Sequence, residues 1–432
     1  MPKGAEAIMC VFHRNDKKQL SVDGLPLDAI TKQYGSPVYV YSAAGITDAF
    51  TSFQNAVAPV NGKVYFAMKA NSTLGILALI GKLGGGMDIV SGGELARAIA
   101  AGIRSSDVVF SGVGKTNDEI RQALACGIGQ INAESPAEVA AISAIAQEMK
   151  LLAPVALRVN VDVNPSTHAK ISTGQSSTKF GIPINQREAY DIYQKMAKDP
   201  HISPAGLAVH IGSQIRDLAP FERAFSALLT LAIELRDAGW PVPNLDLGGG
   251  VGIDYDTAGP TDFTEYGLLV QRLFAGQGFS LGFEPGRSII ANNGVLVTRV
   301  IYVKQGAEKR FIIVDAAMND LLRPTLYDAH HAIWTLDEPN FSTSKADIVG
   351  PVCETGDYLG LNRDMPHLSA GDGLAILSAG AYGAAMASNY NSRSPAAEII
   401  VQDGTAHLLR AARPIADYIN DEMIPKFAHI PE

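Results

Sequence analysis

The sequence predicts a (β/α)8 barrel followed by a domain built from β-strands, and three observations support this fold. Eight short apolar runs recur between residues 64 and 283, helix-like stretches separate them, and strand-like runs follow one another beyond about residue 290. Strands that alternate with helices over about 250 residues are typical of a closed parallel barrel. The length of 432 residues also exceeds what one compact core usually holds, so we expect two domains.

The predicted barrel strands are short and regularly spaced. The first five begin about 21 to 25 residues apart, and each interval has room for one helix. The stretch that opens at Ser135 has a serine N-cap followed by proline, which is a favoured helix start. A doubly wound sheet is the competing fold, but eight regular units favour closure into a barrel. The eight runs are Val64–Met68, Met87–Val90, Val108–Phe110, Gln130–Asn132, Val155–Val161, Gly206–Ile211, Asn244–Leu247 and Ser280–Phe283.

The carboxyl-terminal third is predicted to be all β. The run Ala397–Arg410 contains Asp403-Gly404 at its centre, a pair that suits the type I′ turn of a β-hairpin. Further strand-like runs precede it at Gly294–Lys304, Arg310–Asp315 and Gly373–Ser378.

The amino-terminal residues are expected to join this β-rich domain, because Pro37–Tyr41 is also strand-like. We therefore expect a barrel domain over residues 46–290. Residues 1–45 and 291–432 then form the second domain.

The composition is that of an ordinary globular protein and disfavours several partners. Hydrophobic residues make up 47% and charged residues 18%, and a formal net charge of −9 without any basic run disfavours nucleic acid or an anionic membrane. Met1–Ile8 lacks a secretory pattern and no run of 18 apolar residues occurs, so we expect a cytoplasmic protein. Cys10, Cys126 and Cys353 lack metal-type spacing, so neither a metal site nor a disulfide framework is expected.

Lys69 is the first candidate catalytic residue, because it follows the apolar, aromatic-rich run Val64–Met68. Poor solvation at the end of a buried strand lowers the pKa of a lysine and makes its amine a nucleophile that forms a Schiff base with an aldehyde or ketone. A lysine at a strand end is more often a surface residue. The assignment therefore depends on the residues at the other strand ends.

In barrels of this type the chemistry lies at the carboxyl ends of the strands. Glycines follow the seventh predicted strand, where backbone N–H groups can close on an anion, and the loops after strands seven and eight are the usual phosphate site. A phosphorylated cofactor is therefore expected. The residues at these ends are Lys69, Asp88, Ser91, Arg158, Asn160, His210, Gly248, Gly249, Gly250, Glu284, Gly286 and Arg287.

This set suits pyridoxal 5′-phosphate. Lys69 can take the aldehyde, the glycines the phosphate, and Glu284 the pyridine nitrogen, which it keeps protonated so that the ring accepts electrons from the substrate's α-carbon. His210 can stack on the face of the ring. A histidine in an apolar strand is otherwise more often a buried, hydrogen-bonded residue.

Several motifs in this chain resemble the alanine-racemase-like barrel decarboxylases of basic amino acids. They are Phe66-Ala-Met-Lys69-Ala-Asn71, His210-Ile-Gly-Ser213-Gln, Leu247-Gly-Gly-Gly-Val-Gly and Glu284-Pro-Gly-Arg287. Within that group, the resemblance narrows to the diaminopimelate decarboxylases through Arg323-Pro-Thr-Leu-Tyr327, Cys353-Glu354-Thr-Gly-Asp and Gly380-Ala-Tyr382-Gly. The match covers essentially the whole chain, with Thr355 a small departure where serine is commoner.

The resemblance implies a homodimer that removes CO2 from meso-2,6-diaminopimelate to give L-lysine, with both active sites at the subunit interface. Lys69 then holds the cofactor, and Cys353 and Glu354 enter from the partner subunit, where Cys353 protonates the carbanion. Further cofactor contacts are implied for His210, Ser213, Gly248, Gly249, Gly250, Glu284, Gly286, Arg287 and Tyr382.

The charges of the predicted substrate pocket agree with this substrate. Meso-diaminopimelate carries a second amino-acid head group, for which Arg287, Arg323 and Tyr327 can bind the carboxylate and Glu354 the ammonium. Tyr382 is a further expected substrate contact. A decarboxylase of the ornithine or arginine type would leave two arginines without carboxylate partners.

Two other classes stay open. An amino-acid racemase on the same fold would place a cation, in the position of Glu284, against the pyridine nitrogen. A non-catalytic relative would be expected to lack Lys69 or Cys353, and both residues are present.

Overall fold

The computed structural model describes residues 11–165, 168–171, 173–174, 178–184, 187–338 and 342–428. The expectation that Met1–Ile8 carries no secretory signal, and the cysteine Cys10, lie outside the described residues. The chain forms two compact units. One comprises Ala44–Asp254 and Gly259–Asn292; the other comprises Tyr255–Ala258, the described residues before Ala44 and those from Asn293 onward.

The described strands are β1 Phe12–Arg14, β2 Leu20–Val22, β3 Leu25–Pro26, β4 Val38–Ser42, β5 Gly62–Ala67, β6 Gly86–Ile89, β7 Val108–Phe110, β8 Gln130–Ala133, β9 Ala153–Asn160, β10 Ile182–Pro183, β11 Ile202–Val209, β12 Asn244–Asp246, β13 Ser280–Phe283, β14 Gly294–Gln305, β15 Arg310–Val314, β16 Ile333–Thr335, β17 Thr343–Val349, β18 Tyr358–Pro366, β19 Gly373–Ile376, β20 Ala397–Gln402 and β21 Thr405–Arg410.

The described α-helices are α1 Leu27–Tyr34, α2 Ala43–Val57, α3 Leu74–Lys82, α4 Gly92–Ala100, α5 Asn117–Ala125, α6 Pro136–Met149, α7 Glu188–Ala197, α8 Ala219–Asp237, α9 Thr264–Phe274, α10 Arg287–Ile290, α11 Arg323–Tyr327 and α12 Ile415–Asn420. Within these parts of the chain, none is both long and apolar enough to cross a lipid bilayer.

The first unit is a closed barrel of parallel strands. Its order is β5, β6, β7, β8, β9, β11, β12, β13, and the pairing of β13 with β5 closes the ring. Each of the eight predicted runs overlaps one of these strands, so the predicted barrel is confirmed. Large aromatic side chains of the strands, such as Phe66, Phe110 and Phe283, are fully buried. Helices that follow the strands cover a continuous apolar surface, as is usual for strands buried on both faces.

Helix caps fix the loops at the carboxyl ends of the strands. Ser91 caps α4 by accepting a hydrogen bond from the N–H of Glu94, and Thr116 forms a capping box at the start of α5. Ser135 caps α6 with Pro136 in its first turn, as predicted. Each cap ties a strand-to-helix loop to the start of the helix that follows it.

The second unit contains a mixed β-sheet with strand order β18, β17, β15, β14, β4, β20, β21, and β19 also pairs with β14. Strand β4 runs antiparallel to β14 and parallel to β20. The hairpin β20–β21 turns at Asp403 and Gly404, whose φ angles of 49° and 75° are the left-handed values that a type I′ turn requires. Short helices α1, α11 and α12 accompany the strands, so the unit is predominantly, not purely, β.

Candidate active site

Lys69 lies at the mouth of the barrel, in a single 3-10 turn that follows β5. Its Nζ is 3.1 Å from Oδ2 of Asp88, at the end of the neighbouring strand β6, and 36% of its side chain is exposed. The amine is therefore not in the apolar surroundings that Val64–Met68 suggests, because the strand ends before it and a carboxylate lies beside it. An ion pair at an open mouth keeps the lysine in place and accessible to a ligand.

Glu284 is tied into a buried ring of polar side chains. Asp246 on β12 pairs in register with Gly282 on β13, two residues before Glu284, so the two carboxyl side chains point to the same face. Nδ2 of Asn132 donates hydrogen bonds to Oδ2 of Asp246 at 3.2 Å and to Oγ of Ser111 at 3.1 Å. The Ser111 hydroxyl donates to Oε1 of Glu284 at 3.4 Å, and a hydrogen bond from Glu284 to Asp246 closes the ring.

The carboxyl groups of Asp246 and Glu284, in this ring of hydrogen bonds, hold one proton between them. Burial raises the pKa of Glu284 well above its ordinary value, and the negative charges of Asp246 and Asp88 raise it further. Burial also raises the pKa of Asp246, which accepts a hydrogen bond from the Gly248 N–H at 3.0 Å. Ionising both acids in a buried site is costly, so the pair shares one proton, donated by Glu284 to Asp246. Glu284 can offer that proton to a basic nitrogen.

His210 presents a neutral imidazole at the same mouth. Its Nδ1 accepts a hydrogen bond from the Gly249 N–H at 3.2 Å, which places the proton of the neutral ring on Nε2. Burial holds the pKa of His210 well below its usual value, and the positive charges of Lys69 and Arg158 lower it further. An uncharged planar ring beside Lys69 suits stacking on an aromatic ligand.

The glycine loop after β12 is shaped by close backbone approaches. A Cβ on Gly249 would lie 2.1 Å from the carbonyl oxygen of Glu284, and Gly250 has a φ of +110°, so side chains are excluded from both positions. Across this region Nη2 of Arg287, the first residue of α10, donates to Oγ of Ser213 at 3.0 Å, and Gly286 caps that helix. A hydroxyl, a guanidinium and a glycine-lined backbone loop form a set typical of phosphate sites.

These residues fit pyridoxal 5′-phosphate. The mouth combines a lysine amine, a carboxyl pair with a proton to share, a neutral imidazole and a set of phosphate donors. In addition, Oδ1 of Asp88 is buried and has no hydrogen-bond partner among the described residues. This oxygen can therefore accept a hydrogen bond from a ligand bound beside Lys69.

Three other residues at the strand ends have structural partners. Nη1 of Arg158 donates to Oε1 of Glu134 at 2.7 Å in a buried ion pair, and Nδ2 of Asn160 donates to the carbonyl oxygen of Phe180 at 2.8 Å. Ser91 is a helix cap. Arg158 still acts on the site through its charge, since it lowers the pKa of His210.

Cys353 and Glu354 lie in the loop between β17 and β18 of the second unit, and both are exposed. The backbone N–H of Cys353 donates to Oδ1 of Asn391 at 3.1 Å, and the Tyr390 hydroxyl donates to Oε1 of Glu354. The loop is therefore anchored by its neighbours while its thiol faces solvent in the single chain.

Arg323, Tyr327 and Tyr382 also belong to the second unit. Arg323 and Tyr327 begin and end helix α11, and only 5% of Arg323 is exposed. Tyr382 has a φ of +57°, a left-handed conformation that is rare for a bulky residue. Strained backbone of this kind is concentrated at functional sites.

Sequence reasoning missed Ser111, Asn132 and Asp246, the residues that surround Glu284. The signal was present in β8, where the polar residues Gln130 and Asn132 alternate with apolar ones in a buried strand. Such alternation in a barrel strand indicates a polar interior.

Comparison with known proteins identifies the family. Residues 43–291 match the family described as pyridoxal-dependent decarboxylase, pyridoxal binding domain. The diaminopimelate decarboxylase of Zymomonas mobilis is 48% identical over 408 residues, which cover 93% of this chain and 96% of that protein. The chain belongs to the diaminopimelate decarboxylases.

Solved structures of diaminopimelate decarboxylases have the same architecture. The enzyme of Helicobacter pylori in complex with L-lysine has a TM-score of 0.87 at 37% identity, covering 91% of this chain and 99% of that one. The enzyme of M. jannaschii in complex with L-lysine has a TM-score of 0.90 at 32% identity, covering 97% and 99%. The predicted fold, family and pyridoxal cofactor are therefore confirmed.

Proposed function

We propose that this chain removes CO2 from meso-2,6-diaminopimelate and releases L-lysine, the last step of lysine biosynthesis. The observation that carries the proposal is 48% identity to a diaminopimelate decarboxylase over 93% of the chain. The barrel mouth, in which Lys69 lies beside Asp88 and a buried carboxyl pair includes Glu284, supports the same chemistry. A cytoplasmic location is part of this proposal.

Bound pyridoxal 5′-phosphate supplies an electron sink for the charge that CO2 leaves at the substrate's α-carbon. Lys69 provides the amine that attaches the cofactor, and Glu284 holds a proton at the pyridine nitrogen. His210 offers its neutral ring as a stacking surface. The loop of Gly248, Gly249 and Gly250 is assigned to the cofactor's phosphate, and the further cofactor contacts are Ser213, Gly286, Arg287 and Tyr382.

The active site is proposed to be completed by a second copy of the chain. Cys353 and Glu354 of the partner subunit then enter the mouth, where the thiol transfers its proton to the α-carbon and recovers one from solvent. The exposure of both residues in the single chain supports this assignment. A thiol placed at the reacting carbon is a suitable general acid.

The far end of the substrate is assigned to charged groups. Arg287, Arg323 and Tyr327 bind its distal carboxylate, and Glu354 binds its distal ammonium. Ornithine lacks this carboxylate and would leave the guanidinium groups without their ligand, at a cost of several kcal/mol for buried charges.

The test is CO2 release by the purified, cofactor-loaded protein from meso-diaminopimelate, L-ornithine and L-lysine, with chiral analysis of the products. We expect kcat/KM for meso-diaminopimelate to exceed the other two by roughly 100-fold or more, because the distal carboxylate forms charged hydrogen bonds. Comparable CO2 release from ornithine would indicate the other decarboxylase class. Inversion of an amino acid without CO2 release would indicate a racemase.

A further inference from the structure

The second unit contains a buried cluster around Arg323 that the proposed function does not explain. Nη1 of Arg323 lies 2.7 Å from Nε2 of His331, and Nδ1 of His331 lies 2.8 Å from the carbonyl oxygen of Leu377. His331 has no exposed surface and Arg323 is 5% exposed. The backbone at this point is itself fixed, since the Leu377 N–H donates to the carbonyl oxygen of Ala332 at 2.8 Å.

The two hydrogen bonds of His331 determine its protonation. A guanidinium has only donors, so Nε2 of His331 must accept, and a carbonyl oxygen only accepts, so Nδ1 must donate. Only the neutral Nδ1–H tautomer satisfies both partners, because an imidazolium would direct an N–H at the N–H of Arg323. The contact uses one N–H of Arg323 and does not neutralise its charge.

An aromatic ring packs against the same two residues. The guanidinium carbon of Arg323 lies 4.8 Å from the ring centre of Tyr255, and the Tyr255 ring meets the His331 ring edge to face at 5.2 Å. A guanidinium stacked on a ring and hydrogen-bonded at one edge keeps few of its rotamers. Its entropy is then already lost before a ligand binds, which strengthens ligand binding.

We propose that His331, together with Tyr255, is a positioning residue that pre-organises Arg323 for the distal carboxylate of the substrate. The inference rests on the proposed function, in which Arg323 binds that carboxylate. His331 then contributes to specificity, because it strengthens the binding of ligands that carry the distal carboxylate. Ligands without it gain nothing from the orientation of Arg323.

The test compares two substitutions at His331 that each keep one half of its hydrogen bonding. His331→Gln places an amide oxygen near the position of Nε2 and retains an acceptor for Arg323. His331→Asn places an amide near Nδ1, which retains the donor to Leu377 but leaves Arg323 without its acceptor. The measurements are kcat and KM for meso-diaminopimelate, and inhibition constants for L-lysine, which keeps the distal carboxylate, and 1,5-diaminopentane, which lacks it.

We expect His331→Asn to raise KM and the L-lysine inhibition constant by roughly tenfold, the size of one charged hydrogen bond, and to change kcat and the 1,5-diaminopentane constant by less than about threefold. His331→Gln should recover most of the loss, and Arg323→Met sets the upper limit of the effect. Equal effects of Asn and Gln, or equal weakening of both inhibitors, would overturn the proposal.

Because His331 is buried, a second pair of variants covers the case in which its variants do not fold. Tyr255→Leu removes the ring under Arg323 and should weaken L-lysine more than 1,5-diaminopentane, whereas Tyr255→Phe keeps the ring and should not. The same change of the two inhibition constants in Tyr255→Leu and Tyr255→Phe would also overturn the proposal. If the unaltered enzyme releases no CO2 from meso-diaminopimelate, the proposed function itself fails, and that outcome is distinct from these.

Discussion

The barrel mouth and the Cys353 loop place their functional residues in opposite ways. At the mouth, Asp246 is the last residue of β12 and Glu284 directly follows β13. The two residues are 3% and 6% exposed, and the ring of hydrogen bonds fixes both. In the loop between β17 and β18, Cys353 and Glu354 are exposed and are anchored mainly through neighbouring side chains. A single chain therefore pre-organises the groups assigned to the cofactor, whereas the proposed proton donor lies on a surface that a partner can cover.

The difference has a physical basis. Buried carboxyl groups are costly, so a fold retains them where they shift a pKa for chemistry, and a closed barrel supplies neighbours on every side. A thiol that must reach the α-carbon of a bound ligand needs exposure before the partner arrives. Each region can be tested with a variant that leaves the other intact.

The largest effect is expected at Lys69. Lys69→Ala removes the amine assigned to the cofactor, so the visible absorbance of the lysine-bound cofactor should disappear and turnover should fall by a factor of about 10,000 or more. Lys63→Ala is the matched control, because Lys63 lies on β5, the strand that precedes Lys69, and pairs with Asp107 at 2.5 Å. It should keep both signals. A borohydride-fixed adduct on another lysine in Lys69→Ala would exclude the assignment.

The second prediction tests whether the two regions come from different chains. When Lys69→Ala and Cys353→Ala dimers exchange subunits freely, about half the dimers are mixed and each has one intact site, so about a quarter of the sites should recover. The expected signal is CO2 release that rises from near zero after mixing. Lys69→Ala mixed with itself is the control. No recovery despite exchange verified by mass labelling would place both residues in one chain's site.

The sequence predicted the barrel well because its strands are continuous apolar runs at regular spacing, and Lys69 and Glu284 were recognisable at the ends of two of them. Strand β17 was missed, since Thr343–Lys345 is polar and exposed and does not resemble a buried strand. The contact between Tyr255 and His331 joins residues far apart in the chain, and no periodicity relates them. Long-range packing of this kind decides side-chain protonation, which local patterns do not encode.

The smallest effect is expected at Asp246, the carboxyl neighbour of Glu284. In Asp246→Asn, Glu284 loses its carboxyl neighbour, so kcat should fall by roughly tenfold through a less well-held proton at the pyridine nitrogen. The new amide NH2 group would face the N–H donors of Gly248 or Asn132, from which the carboxylate of Asp246 accepts hydrogen bonds. This loss should also destabilise the fold by about 1–3 kcal/mol. Cys353→Ala, in the exposed loop, should leave stability unchanged.

The decisive readout is the pH dependence of stability without cofactor. The pKa values of Asp246 and Glu284 are raised on folding, so above the ordinary carboxyl pKa the folded protein binds more protons than the unfolded chain and loses stability as pH rises. Each extra proton contributes a slope of about 1.4 kcal/mol per pH unit. Burial also raises the pKa values of Glu94 and Asp320, to about 7 and about 6. These two groups add the same slope to the unaltered protein and to each variant. Chemical denaturation between pH 5 and 8 should therefore show a flatter decline in Asp246→Asn than in the unaltered protein or Cys353→Ala. Parallel declines would mean that burial alone keeps Glu284 protonated and that the charge of Asp246 does not raise its pKa.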